Sequence, residues 1–216
     1  MEKINIDFIY IAHYEKLTQR KQYLLHEFNK YNITNFAFFT NYAREKTSRN
    51  DIKKFIKREV SDNEFPYICN FMNHFSIYLD IIKNNYKKVL IIEDDAILCP
   101  NFLSIFNKYI EKLPSDWDMT FLHDGCNMHA SNIRPDIIWY KEIYSRTVCS
   151  YMLTLETAKK IVETLLPIDD HPYIAIDNCL NEEIQKHNLN VYWCEPVIIK
   201  EGSQNNFYNS TYVRLS

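Results

Sequence analysis

A chain of 216 residues, 46% hydrophobic and 25% charged, is long enough for one full core and too apolar to be disordered. A formal net charge of −3 argues against a nucleic-acid backbone as partner. No apolar run approaches the roughly 20 residues of a membrane-spanning helix, and Met1–Asn5 leads into a strand-like segment rather than a signal peptide. A soluble, cytoplasmic domain is expected, free or peripheral to a membrane, alone or within a longer protein.

In chain order, Ile4–Ile11 is apolar and β-branched and predicts an opening strand. Glu15–Lys30 carries an uneven helical stripe of Leu17, Tyr23, Leu24, Leu25 and Phe28. Phe36–Phe39 predicts a second strand, and a short helix is expected at Asp51–Glu59 within a charged loop. The clearest helix is Phe65–Asn85, where Ile68, Phe71, Met72, Phe75, Leu79 and Ile82 recur at three- and four-residue spacing. Lys87–Ile92 ends in four consecutive apolar residues, the mark of a strand buried on both faces in a parallel sheet.

Beyond it, Pro100 suits the first turn of a helix reaching Lys112, and Asp118–Leu122 and Arg146–Leu153 read as strands. Thr154 is a suitable cap for a helix over Leu155–Leu166. Ile174–His187 reads as a helix, and Asn190–Cys194 and Val197–Ile199 as closing strands. The alternation, without repeats, predicts a single α/β domain over the whole chain, with a mainly parallel sheet flanked by helices. The six cysteines are scattered without CxxC spacing and are expected to be reduced thiols.

Glu93-Asp94-Asp95 closes the apolar strand, where open α/β sheets bind their ligands. Three adjacent acids repel one another, and a divalent cation would neutralise them. Their hard oxygens suit Mn²⁺ or Mg²⁺, which also bind diphosphate oxygens. Acids after a strand also merely end it or cap a helix, and a phosphate-transfer enzyme would look similar. The chain lacks the Gly-rich loop of P-loop and Rossmann proteins.

Four ordered segments resemble glycosyltransferase family 25, which includes lipooligosaccharide and procollagen galactosyltransferases. They are Ile9-Tyr10-Ile11 with Arg20; Asn73-His74 ahead of Leu90 to Ala96; Asp116-Trp117-Asp118 through Gly125-Cys126-Asn127-Met128-His129; and Ile176 to Asn181 with Tyr192 to Pro196 and Gly202-Ser203. The family's Ser before His is Asn73 here, and an amide can still hydrogen-bond. The region from Arg44 to Phe65 does not match.

The resemblance implies a GT-A-like fold, a UDP-sugar donor, Mn²⁺ dependence and inversion at the anomeric carbon. It implies metal coordination by Asp95, with Glu93 a ligand or a structural neighbour. Donor contacts are expected from Arg20, His74, Asp94 and Asn127, and Glu195 and Ser203 are expected beside the donor or the metal. His74 is equally open to a packing role, and Tyr192-Trp193 to a place in the core. Asp177, near Asp169 and Asp170, is the expected general base, with Asp124 as the alternative. The acceptor would be a hydroxyl of a glycan, glycoprotein or glycolipid, the sugar galactose or, next, glucose. A non-catalytic relative that binds nucleotide-sugar or glycan is the alternative function.

Overall fold

The computed structural model describes residues 2–167 and 174–209, which leaves Asp169 and Asp170 outside the described residues. Among the described residues nine strands and six α-helices occur, beginning with β1 (Phe8–Ala12), α1 (Thr18–Lys30), β2 (Phe36–Phe39), α2 (Arg49–Ile52), α3 (Phe65–Asn84), β3 (Lys88–Glu93) and β4 (Ala96–Leu98). Then come α4 (Phe102–Glu111), β5 (Met119–Phe121), β6 (Trp139–Glu142), β7 (Ser150–Thr154), α5 (Leu155–Thr164), α6 (Ile176–Lys186), β8 (Val191–Cys194) and β9 (Ile199–Glu201).

The central sheet has the strand order β2-β1-β3-β7-β5-β8-β6. Parallel pairing joins β1 to β2, β1 to β3 and β5 to β8, while β7 and β6 run against their neighbours. Five of the seven strands therefore share one direction, the mainly parallel α/β arrangement expected. Strand periodicity divides the core. Tyr10 and Ile91 face one cluster with α3, α5 and α6, while Ile9, Ile11, Leu90 and Ile92 face another with α1 and α4.

The chain passes from β1 to β2 on one side, then returns to β3 on the other. That reversal opens a crevice beyond the carboxyl ends of β1 and β3. Ala12 and Glu93 are register partners there, so His13 and Asp94 emerge side by side.

Several boundaries differ from the sequence reading. The opening strand starts at Phe8 because Asp7 turns aside to accept hydrogen bonds from the Lys87 and Lys88 amides. The Asp51–Glu59 helix shrinks to one turn, α2, fixed by a Ser48–Asp51 capping box. Leu79 is 46% exposed, and Tyr78 and Ile81 take the core-facing positions instead. Pro100 precedes α4, which starts after a left-handed Asn101. The strand expected over Arg146–Leu153 begins only at Ser150, and Thr154 caps α5 as expected by accepting from the Thr157 amide.

The last strand lies at Ile199–Glu201, two residues beyond its expected start, and pairs with the unpredicted β4 as a two-stranded ribbon. All six cysteines are free thiols. Among the described residues no helix is long and apolar enough to cross a membrane.

Candidate active site

A cleft of about 780 Å³ occupies the crevice, lined by Arg20, Glu93, Asp94, Asp95, Asn127, Asp177 and Ser203 among others. Seven of the ten expected site residues, drawn from five separate stretches of chain, thus meet in one space. His74, Asp124 and Glu195 do not line it.

Asp94 is buried and saturated by protein donors. Its Oδ2 accepts from the Tyr14 amide at 2.9 Å and pairs with His13 Nδ1 at 2.9 Å; its Oδ1 accepts from Arg20 Nη1 at 2.8 Å. Arg20 also donates to the Asn209 carbonyl and lies over the Tyr208 ring. Asp94 therefore anchors Arg20 and the turn after β1, rather than presenting a free carboxylate to a sugar.

Asp95 has the opposite character. Its Oδ2 accepts from Ser203 Oγ at 2.5 Å, while its Oδ1 is buried without a partner among the described residues. Burial first, then the charge of Glu93, lift its carboxyl to about 6. Glu201, at the end of β9, shares this environment. Its Oε2 is also buried and unpartnered among the described residues, and burial with the charges of Asp95 and Glu93 raises the carboxyl to about 8. Sequence reasoning missed Glu201, because only the β4–β9 pairing, with Ala96 opposite Glu201, brings it beside Asp95.

Ser203 binds Asp95, the carboxylate expected to coordinate the metal. No group of three or more His, Cys, Asp or Glu is arranged to hold an ion among the described residues. A Mg²⁺-like ion needs fewer, since it takes one or two carboxylates and completes its shell with water and substrate phosphate. Two desolvated, unpartnered carboxylate oxygens fit that requirement.

Glu93 faces a different wall. Its Oε1 accepts from Asn70 Nδ2 at 2.8 Å and lies 3.6 Å from His74 Nε2. His74 is fully buried, its Nδ1 is 2.7 Å from the Tyr151 hydroxyl, and that hydroxyl meets the Tyr78 hydroxyl. His74 therefore supports Glu93 from beneath and does not reach the cleft, correcting the donor-contact expectation. Asp177 lies in the first turn of α6 and faces the cleft. Burial and then the nearby Glu93 charge raise its carboxyl, against the Asn178 amide that lowers it.

Glu195 is corrected too. It is 3% exposed and pairs with the fully buried Arg146 at 2.6 Å, with His129 and the Ala130 amide completing its shell. This is an internal ion pair that pins the loop before β7. Asp124 sits behind the cleft, accepting from the Glu201 amide at 3.2 Å and from Asn205 Nδ2. Tyr192 and Trp193 are buried in the core. Asn73 uses its amide oxygen to accept from the Tyr42 backbone, fixing that side of the cleft.

The chain's two glycines both stand where backbones meet at this site. A Cβ at Gly202 would lie 2.6 Å from the Asp95 carbonyl, and one at Gly125 would lie 2.1 Å from the Arg146 carbonyl.

Behind the cleft, His123 is completely buried between the Ser150 carbonyl and Thr147 Oγ1, and burial lowers it to about 4. Between pH 6.5 and 4 the unfolded chain takes up a proton that the folded one refuses, so stability falls as pH falls, by about 3 kcal/mol at the limit. Asp95 and Glu201, raised, act in the opposite sense, gaining stability as pH falls through 8 and 6. Denaturant unfolding of wild type and His123→Gln across this range should show a flatter loss toward acid in the variant.

Fold and site together define a mainly parallel α/β protein with an acidic cleft at its topological switch point. The chain belongs to glycosyltransferase family 25: the family described as "Glycosyltransferase family 25 (LPS biosynthesis protein)" matches residues 6–180. A glycosyltransferase 25 family member from Anopheles gambiae is 24% identical over 86% of this chain and 34% of its own length. Procollagen galactosyltransferase 2 of Mus musculus is 25% identical over 60% of this chain and 23% of its own. A Homo sapiens relative named as inactive glycosyltransferase 25 family member 3 is 24% identical over 54% and 21%. The chain thus spans about a third or less of the length of these relatives.

Proposed function

We propose that this chain is an inverting, metal-dependent hexosyltransferase that moves a sugar from a UDP-sugar to a hydroxyl of a glycan, glycoprotein or glycolipid. Galactose is the first sugar to test, in line with the name of the mouse relative, and glucose the next. The observation that carries the reading is the division of labour within one cleft. Asp95 offers a buried oxygen lacking a partner among the described residues, while Asp177 offers a carboxyl of raised proton affinity on another wall.

Asp95 would hold Mn²⁺ or Mg²⁺, and the ion, when bound, stabilises charge building on the departing diphosphate. Arg20, locked by Asp94, fixes a cation at the cleft wall for the same anionic group. Asn127 lines the cleft as a polar contact for the donor, and Glu93, held by Asn70, shapes the wall beside Asp177. Asp177 takes the proton of the acceptor hydroxyl as that oxygen bonds the anomeric carbon and the carbon–oxygen bond to UDP breaks. A base separate from the metal carboxylate suits this role, because a metal-bound carboxylate is a poor base.

A non-catalytic relative is the second reading. It is favoured by Asn73 in place of the family's Ser and by the human relative named inactive. A panel of UDP-sugars incubated with the protein and Mn²⁺ tests the proposal. Metal-dependent UDP release from at least one UDP-hexose is expected, and neither binding nor hydrolysis of any of them would overturn it.

A further inference from the structure

We infer that Glu201 supplies the second protein carboxylate, beside Asp95, to the divalent cation of the cleft. The inference rests on the metal-dependent reading above and deepens it by naming the ion's other protein ligand, where the sequence had offered Glu93.

The placement is built by backbone. In the β4–β9 ribbon Ala96 stands opposite Glu201, and the Gly202 amide donates to the Asp95 carbonyl at 2.8 Å. The close approach requires the missing side chain of Gly202. Ser203 then reaches back across the ribbon end. Its hydroxyl lies 2.5 Å from Asp95 Oδ2 and 3.4 Å from Glu201 Oε1, and Gln204 Nε2 donates to that same Oε1 at 2.9 Å.

One oxygen of each carboxylate is thereby tied. The other oxygen of each, Asp95 Oδ1 and Glu201 Oε2, is buried with no hydrogen-bond partner among the described residues. Asp95 as a whole is only 4% exposed. Neither acid forms an ion pair among the described residues. Desolvating an unpartnered carboxylate oxygen on each of two mutually repelling acids is costly, and a cation would offset that cost. Both acids line the cleft, so an ion there would still be open to water and diphosphate oxygens. Glu93 is less suited, because Asn70 already holds its Oε1 on the side of His74.

The test is Mn²⁺ binding to the full chain with UDP present, followed by the electron paramagnetic resonance of free Mn²⁺. Wild type, Glu201→Gln, Glu201→Asp and Glu93→Gln are compared. Glu201→Gln should weaken Mn²⁺ binding roughly tenfold or more, Glu201→Asp should retain part of it, and Glu93→Gln should change it less. Without metal, Glu201→Gln should melt no lower than wild type, since it removes one of two repelling acids, and Mn²⁺ with UDP should raise its melting temperature less. Equal Mn²⁺ binding by wild type and Glu201→Gln would overturn the role of Glu201 alone. Failure of wild type itself to bind Mn²⁺ with UDP would overturn the metal-dependent reading beneath it.

Discussion

Asp177→Asn should lower kcat for sugar transfer by roughly 10²- to 10⁴-fold while leaving UDP and Mn²⁺ binding close to wild type. The amide fills the same space and still suits the first turn of α6, so the fold has little reason to respond. What it loses is the ability to accept a proton. The wild-type carboxyl is suited to the task because burial and the neighbouring Glu93 raise its proton affinity. The pH dependence has a definite sign: a base must be ionised, so wild-type activity should fall as pH drops through the raised value of Asp177, and the variant should lack that limb. If Asp177 only favours the helix start, the substitution would show a change of about 1 kcal/mol or less in stability and no loss of kcat.

Asp95→Ala should abolish metal-dependent turnover, with a loss of about 10³-fold or more, because the ion's stabilisation of the leaving diphosphate amounts to several kcal/mol. Global collapse is not expected. Asp95 is a buried acid whose own burial and acidic neighbours disfavour its charge, so its removal relieves repulsion even as Ser203 loses a hydrogen-bond acceptor. The variant without metal should therefore unfold at a temperature near that of wild type, whereas Mn²⁺ and UDP should no longer stabilise it. Asp94 next door would behave differently, since three protein donors depend on it.

The elements with long signals were legible. Val89–Ile92 announced a doubly buried strand by four apolar residues in succession, and α3 announced itself by period. The short strands β4 and β6, three and four residues long, carry too little pattern to read alone. Their existence depends on partners distant in the chain.

The site followed the same rule. The triplet after β3 was visible as sequence, and its inequality was partly so. That Asp94 spends both oxygens on the β1 turn, Arg20 and His13 is tertiary information. Glu201 left no local mark beyond an acid before Gly202-Ser203. Glu195 and His74 looked like contacts by their place in the matching segments, yet each is committed to a buried partner, Arg146 and Tyr151 respectively.

The central claim is that Asp95 makes this cleft a metal-dependent sugar-transfer site. Its most direct test is UDP release from a UDP-hexose, followed side by side for wild type and Asp95→Ala with Mn²⁺ present and then chelated. Wild type should release UDP only with the metal, and the variant should stay at background in both conditions. Equal release by the two proteins, or none from wild type with any UDP-hexose, would contradict the account and leave a binding module in its place.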